Sequence, residues 1–461
     1  MNNRTLALTA LAAALACAFP ARAQSNAEVL NELKALRDRV SELERKLQTA
    51  EAAKPKEGQW GMTPEQAREL NRVTVKAEAL EDSRDAQGLK NLTISGYADP
   101  TFIYNQRQNR AGVQFLNNVA DDGYNYDNSY FGAIALDFQK ETDSGTRYRL
   151  TLVPNRGTDS VIGNGGIVHE ATVSVPLSDL QTRFIAGHMP DWSGYEYLQP
   201  TLNKLITHNL LFDFTLPTAY TGAGLDITSG KWWYRGMLGQ MNATKNPQGQ
   251  KGPVIAYRVD YSRGEYQGFG FAGVHGKAAN FTENVIDPIT SEVIAQPNSR
   301  VDLFEVDAYF IRGDVTVQGQ VSFGQQKKAS ITPAADGSLR DARWWGLSAL
   351  GAYKIDPRLE AIVRVDYLKN NKNGGGLLGY TFADDRNGIG PDPAGDPEKG
   401  ATRTALSIGL SYAFNLETTI KAEYRLDRAN LPVFLDVKSG NYRKNNNLFG
   451  TKSIADAALA T

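Results

Sequence analysis

Four histidines (His169, His188, His208 and His275) and one cysteine (Cys17) are the only residues of their types in the 461-residue chain. No two histidines stand at a metal-ligand spacing such as H-x-x-x-H, and none accompanies a serine-centred elbow. His188 and His208 flank or lie within the stretch Met189 to Tyr220. There an imidazole can contact a solute or anchor the loop by a hydrogen bond. The acidic run Asp384, Asp385, Asp392 and Asp396 lacks the spacing and closing glutamate of an EF-hand. It reads as a solvated loop, with surface cations as the alternative. No catalytic, cofactor or metal set assembles, so an enzyme is not expected.

The chemistry that recurs is charge alternating with apolar side chains. Arg147, Arg149 and Thr151 oppose Tyr148, Leu150 and Leu152; Glu360, Arg364 and Asp366 oppose Leu359, Ala361, Val363 and Val365. Lys421, Glu423, Arg425 and Asp427 oppose Ile420, Ala422, Tyr424 and Leu426. Burying such a charged face between two sheets costs several kcal/mol per unpaired ion. Facing water in a lumen it costs little. An open sheet with one solvated face is the alternative, but it leaves the sorting of the connections unexplained.

Period-two runs begin at Leu92 and continue to the C-terminal region, with a poorly patterned last strand near Tyr442 to Ile454. Short turns such as Ser229-Gly230 and Gly313-Asp314 alternate strictly with long connections such as Gly276 to Arg300 and Lys369 to Ala401. Tight turns at one rim and long loops at the other are the plan of a membrane barrel. The chain is therefore expected to be all-β, an antiparallel transmembrane β-barrel of about 16 strands with an N-terminal α-helical coiled-coil segment. Tyr and Trp near strand ends, among them Trp232, Tyr261, Trp345 and Tyr367, suit interfacial girdles. The mean hydropathy of −0.40 does not speak against this, because alternating strands average out.

Residues 1–23 read as a secretory signal peptide: Arg4, an apolar run from Leu6 to Ala18, and an Ala21-Arg22-Ala23 cleavage site. The run is too short for a membrane anchor, and Ala14 stands where a lipoprotein signal at Cys17 wants Leu. Removing it moves the formal charge from −1 to −3, which gives no electrostatic case for nucleic acid. Residues 24–53 form the coiled-coil segment. Val29, Leu33, Leu36, Val40, Leu43, Leu47 and Ala50 follow at alternating spacings of four and three. An amphipathic helix lying on its own domain is the alternative. Residues 54–91 hold a linker and a helix opened by Thr63, Pro64 and Gln66, a capping-box arrangement. Residues 92–461 are the barrel.

Met189 to Tyr220 is the third long loop, and it carries Pro190, Gly194, Pro200 and Pro217 without a clear strand. Loops of that length inside a compact domain are usually functional. Ala186-Gly187-His188, Gly194-Tyr195-Glu196, Asn203, Thr207-His208 and Leu216-Pro217-Thr218-Ala219-Tyr220-Thr221-Gly222-Ala223 resemble bacterial outer-membrane porins grouped with the phosphate-selective and carbohydrate-selective porins. They look nearest to putative porins of beta-proteobacteria. The similarity is densest over residues 182–240. It implies a third loop folded inward to narrow the barrel. Two departures stand out. The inward set mixes Arg183, Arg235, Arg258 and Arg364 with Asp260, Glu305, Asp307, Glu360 and Asp366, unlike an arginine ladder. The chain also ends Ala458-Leu459-Ala460-Thr461 where barrel proteins usually close on Phe.

The expectation is a homotrimeric outer-membrane porin, with its coiled coil in the periplasm, passing small hydrophilic solutes by passive diffusion. Asp191, Glu196, Lys204 and His208 are the loop groups expected to face solute. Arg147, Arg149, Arg183, Arg258, Arg364, Lys421 and Arg425 form the expected opposing basic wall. Partners are other copies of the chain, outer-membrane lipid and lipopolysaccharide, and the solutes; no cofactor is expected. The competing readings are a non-conducting barrel that tethers the outer membrane through its coiled coil and, behind it, an outer-membrane enzyme.

Overall fold

The computed structural model describes residues 34, 37–46, 48–49, 63–115, 132–155, 166–243, 252–262, 264, 266–279, 285–286, 293–295, 298–330, 334, 336–371, 392, 394, 396 and 399–459. The signal peptide, the linker at 54–61 and the acidic run at Asp384 and Asp385 lie outside them. The chain divides into two units, Met1–Lys90 and Asn91–Thr461.

In the first unit the described part of the heptad stretch is helical over 37–46, and Val40 on its seam is 47% exposed. Helix α1 (Pro64–Ala86) starts as its sequence dictates. Thr63 Oγ1 accepts from the Gln66 amide at 3.3 Å, and the Gln66 side chain accepts from the Thr63 amide at 3.0 Å. It ends at Ala86, with Gln87 as its C-cap.

The second unit is an 18-stranded antiparallel sheet with two small hairpins. Strands β1 (Leu92–Ala98), β2 (Thr101–Asn105), β3 (Arg110–Gln114), β4 (Ile134–Glu141) and β5 (Arg147–Leu152) open it. β6 (Val168–Pro176) and β7 (Thr182–Pro190) lead to the third long loop, which carries the short helix α2 (Leu210–Thr215). Then come β8 (Ala219–Ser229), β9 (Trp232–Met241), β10 (Val254–Ser262) and β11 (Gln267–Ala279). β12 (Val285–Ile286) and β13 (Val293–Ala295) form one hairpin apart from the sheet. β14 (Asn298–Arg312), β15 (Val315–Gln326), β16 (Ala342–Lys354), β17 (Leu359–Asn370), β18 (Arg403–Ala413) and β19 (Thr418–Ala429) follow. β20 (Phe434–Asp436) and β21 (Asn441–Arg443) make the second hairpin before β22 (Asn445–Leu459).

Successive long strands pair with their sequence neighbours, and β1 pairs with β4 on one side and β22 on the other. β2 continues β1: Ala98 faces Ala455 and Thr101 faces Lys452 in one unbroken register on β22. The break between them falls at Asp99-Pro100, where proline has no N–H to give the ladder. The tight turns hold glycine where the left-handed region is needed, at Gly230 (φ 59°) and Gly313 (φ 57°).

The expected alternation is present and sorts the two faces. On β15, Val315, Val317, Val321 and Phe323 are exposed, while Thr316, Gln320 and Ser322 between them are buried. Leu347, Val363, Val365, Ile408, Leu410, Ile420 and Tyr424 continue the exposed apolar face. No described helix is long and apolar enough to cross a membrane, which bears only on helices.

The inner face departs from the expected water-lined wall. Leu210, Leu211, Phe214 and Leu216 of the loop pack with Ala256, Val274, Val301, Leu303, Trp344 and Leu368 into an apolar core on the inward side. Each such side chain contributes roughly 1.5–3 kcal/mol when fully buried.

Candidate functional site

The third loop leaves β7 at Pro190 and lies against the inward faces of β10 and β14–β19. Its irregular backbone has no ladder of its own, so its amides and carbonyls need partners elsewhere. The charged inner wall supplies them. Glu423 accepts the Ile206 and Thr207 amides, both at 2.8 Å, and the Thr207 hydroxyl at 2.6 Å. Arg364 donates to the Thr207 and His208 carbonyls at 2.6 and 2.8 Å. Arg425 donates to the His208 carbonyl at 2.7 Å. The Lys421 ammonium donates to the Asn203 carbonyl, and Arg258 donates to the Trp192 carbonyl at 2.9 Å.

Side chains of the loop answer the wall in turn. Glu196 pairs with Arg364 at 2.8 Å and accepts the Asn209 amide at 2.6 Å. Asn209 caps α2 by accepting the Leu211 and Phe212 amides. Lys204 pairs with Glu360 at 2.7 Å. Apolar loop residues seat where the wall has no side chain. A Cβ added at Gly346 would lie 2.4 Å from Leu211 Cδ2, and one at Gly409 would lie 2.3 Å from Leu205 Cδ2. At these two positions a side chain would displace the leucine of the loop from its seat.

The docked loop leaves a cavity of about 1600 Å³ on its other side. Its far wall is formed by β4–β9. There Arg147 pairs with Glu141 at 2.9 Å, and Arg149 bridges Asp137 and Glu170 at 2.9 and 3.1 Å. Arg235 pairs with Asp226 at 2.6 Å and lies between the Trp192 and Trp233 rings, 5.3 and 4.4 Å from their centroids. Asp191, Glu196, Arg147, Arg149, Arg183 and Arg258 are all among the lining residues. Arg183 is buried beside the tight turns, donating to Ser174 Oγ at 2.7 Å and to the Gly145 carbonyl at 2.6 Å.

Several expectations for the site are corrected by this geometry. Lys204, His208, Arg364, Lys421 and Arg425 do not line the cavity. His208 is 3% exposed, stacks on Phe212 at 4.1 Å and donates from Nε2 to the Tyr197 carbonyl at 2.9 Å. Glu196 and Arg364 face each other at contact distance, not across open water. The reason is energetic: a buried irregular segment must satisfy its backbone, and the wall cations are the donors within reach. His188 anchors instead of meeting solute, with Nδ1 2.8 Å from Thr221 Oγ1.

Burial shapes the titration of the loop groups. It pushes the Glu196 carboxyl up to about 7, against the opposing pull of Arg364 and the Asn209 amide. It pushes Asp191 up to about 6, against hydrogen bonds from Tyr220 and Ser193. It pushes the His208 imidazole down to about 3. Among the described residues no cluster of three or more His, Cys, Asp or Glu could hold a metal.

Sequence reasoning missed Glu423, Asn209 and the two glycines as parts of the site. The signal was present: Leu205-Ile206 and Leu210-Leu211-Phe212 are too apolar for a loop in water, and Gly346 and Gly409 interrupt inward-facing rows.

A family model described as a protein of unknown function, DUF3138, matches residues 62–456. No curated protein matches. Among solved structures, an anion-selective porin from Comamonas acidovorans is similar at a TM-score of 0.51 and 10% identity, over 79% of this chain and 99% of that one. OmpT, an outer membrane protein of Vibrio cholerae folded in vitro, gives 0.49 and 12% over 80% and 98%. The outer membrane channel DcaP of Acinetobacter baumannii gives 0.46 and 12% over 79% and 97%. The first of these shows a shared fold, a large antiparallel β-sheet of consecutive strands.

Proposed function

The chain belongs to the DUF3138 family of proteins of unknown function, and from that premise we propose that it is an outer-membrane porin for small hydrophilic solutes. The observation that carries this is the sorting of faces around the sheet: apolar and exposed outside, charged and polar inside. An exposed apolar face of this extent needs lipid or a partner to cover it. The sheet is read as a closed barrel, supported by the pairing of β1 with both β4 and β22. Without β2, which continues β1, and the short β3, the 18 strands leave 16. Closure leaves no strand edge in lipid.

Solutes cross through the cavity between the third loop and β4–β9, so the loop is the constriction. Arg147 and Arg149 contact them, while Asp191, Glu196, Arg183 and Arg258 border the same cavity from more buried positions. Lys204, His208, Arg364, Lys421 and Arg425 act behind them by holding the loop. Resemblance over residues 182–240 supports a reading close to the phosphate-selective and carbohydrate-selective group and the putative beta-proteobacterial porins. The heptad at residues 24–51 supports a homotrimer with a periplasmic coiled coil, following a signal peptide at 1–23. Residues 54–91 link it to the barrel at 92–461. Planar-bilayer recording tests the reading: refolded protein gives stepwise conductance, and its absence in repeated insertions refutes the porin.

The apolar core beneath the loop favours one second reading, a barrel closed to solutes that tethers the outer membrane through residues 24–51. It predicts no conductance but retained binding of a periplasmic partner by that segment.

A further inference from the structure

The outward face carries a charge asymmetry that the conduit does not use. At the long-loop ends of β11, β14, β16, β17 and β19 the outward positions are Lys277, Arg300, Arg343, Lys369 and Arg428, all exposed. Strand register brings them into one band. Lys277 stands directly across from Arg300, and Arg343 across from Gln325. Arg428 stands across from Thr404, which in turn faces Tyr367, two residues before Lys369. The band lies immediately loopward of an outward aromatic row, Phe323, Trp345 and Tyr367, whose rings stand 6.5 and 5.0 Å apart in sequence. Such a row marks the interface between hydrocarbon and headgroups.

Three features separate this band from an ordinary solvated rim. It is one-sided: the corresponding outward positions on β4–β9 (Ile134, Leu152, Val168, His188, Thr221 and Gln240) carry no Lys or Arg. It is nearly one-signed: Asp302, held by Arg300 at 3.0 Å, is the acid on these strands in the band, and Arg343 stands 4.0 Å from Asp341 beyond it. The tight-turn rim instead mixes Lys231, Arg312, Lys354 and Arg358 with Asp314, Asp356 and Glu417. Finally, two cations directly opposite on an exposed sheet face repel each other, which an anion seated between them would reverse.

We propose that this band binds the phosphate groups of lipids in the leaflet at the long-loop rim, fixing phosphorylated lipid to the β11–β19 side of the barrel. The proposal rests on the membrane-barrel reading above. The ligand is a phosphate carried on a lipid, because the cations sit at headgroup depth beside the apolar face, where a lipid's acyl chains are covered at the same time. Each basic residue near an anionic membrane surface strengthens binding by about fivefold.

The test uses the full chain in detergent micelles, with lipid A bearing both phosphates, its dephosphorylated counterpart, and inorganic phosphate as a competitor. The wild type retains the phosphorylated lipid. The variant Lys277→Gln/Arg343→Gln/Lys369→Gln/Arg428→Gln loses at least about tenfold in affinity, with unchanged single-channel conductance. Equal binding of the dephosphorylated lipid, or unchanged affinity in the variant, overturns the proposal. Displacement by millimolar inorganic phosphate also overturns it, since the site would then be one for a soluble anion. Should the fourfold variant fail to fold, Lys369→Glu alone gives the same contrast on a smaller scale. Absence of conductance in the wild type would instead fall on the porin reading, so the two failures are separable.

Discussion

Inward cations on β17 and β19 and those on β5 occupy the same alternating pattern yet meet different surroundings. Arg364, Lys421 and Arg425 are at most 4% exposed, and their hydrogen bonds run to the backbone of the third loop. The Arg147 and Arg149 side chains are 58% and 40% exposed and pair with carboxylates on the neighbouring strands β4 and β6. One half of the wall is therefore a socket, and the other faces the cavity. A charged inward row does not by itself define a pore lining; what matters is whether irregular backbone covers it. Buried backbone without a regular ladder needs partners for its amides and carbonyls, and the socket supplies them.

The sharpest way to break this contrast is to empty the centre of the socket. Arg364→Ala removes the donor to two loop carbonyls and leaves Glu196 buried opposite Asp366 and Glu423. Leaving one partner of a buried pair uncompensated costs about 3–5 kcal/mol. The loop should leave its seat, and single-channel conductance should rise and become noisy. Conductance and thermal stability equal to wild type would show that the loop is held by its apolar residues alone.

Those apolar residues are probed next. Gly409→Val fills the space that Leu205 Cδ2 occupies, and overpacking of this kind costs about 1–3 kcal/mol. The expected result is a partial version of the Arg364→Ala phenotype, with intermediate conductance and protease access to the loop. A conductance equal to wild type would show that the Leu205 seat does not hold the loop in place.

The far wall should respond in the opposite manner. Arg147→Gln removes an exposed ion pair whose contribution to stability is about 0–1 kcal/mol. Melting should hardly change, while the reversal potential in a salt gradient shifts toward cations because Glu141 is left uncompensated. A stability loss as large as that of Arg364→Ala would erase the distinction between socket and cavity wall.

How much of this was legible in the sequence follows from which forces act locally. Strand positions, the alternation of faces and the tight turns come from neighbouring residues, and each expected strand has a counterpart, including the poorly patterned one near Tyr442 to Ile454, found as β22. The large sheet and the length of the third loop were equally plain. The partners of Arg364 and Arg425 were not, because they are carbonyls of Thr207 and His208 and a carbonyl leaves no mark in a sequence. Helix α2 was hidden for a related reason: at six residues it is too short to show a period, and tertiary packing of Leu210, Leu211 and Phe214 decides it. Glycines at 346 and 409 could have been flagged as missing side chains on inward rows, but their occupants, Leu211 and Leu205, lie more than a hundred residues away in the chain.

The smallest expected effect is a pH dependence confined to the socket side. Docking raises the Glu196 carboxyl to about 7 and Asp191 to about 6, so the docked loop holds protons that the undocked loop releases. Their contribution is complete at and below the ordinary carboxylate range and is lost as pH rises through those values. His208 acts with the opposite sign: docking favours its neutral form, a contribution complete above the ordinary imidazole range and lost as pH falls toward about 3. Below about 6 the two tendencies offset one another; between about 6 and about 7 the Glu196 contribution prevails. Open-channel noise in the wild type should therefore grow across that interval. Glu196→Gln keeps one acceptor oxygen, enough for Arg364 or the Asn209 amide but not both, and no longer titrates, so its noise should stay level there, and noise that grows equally in the variant would assign the dependence to the cavity wall instead of the socket.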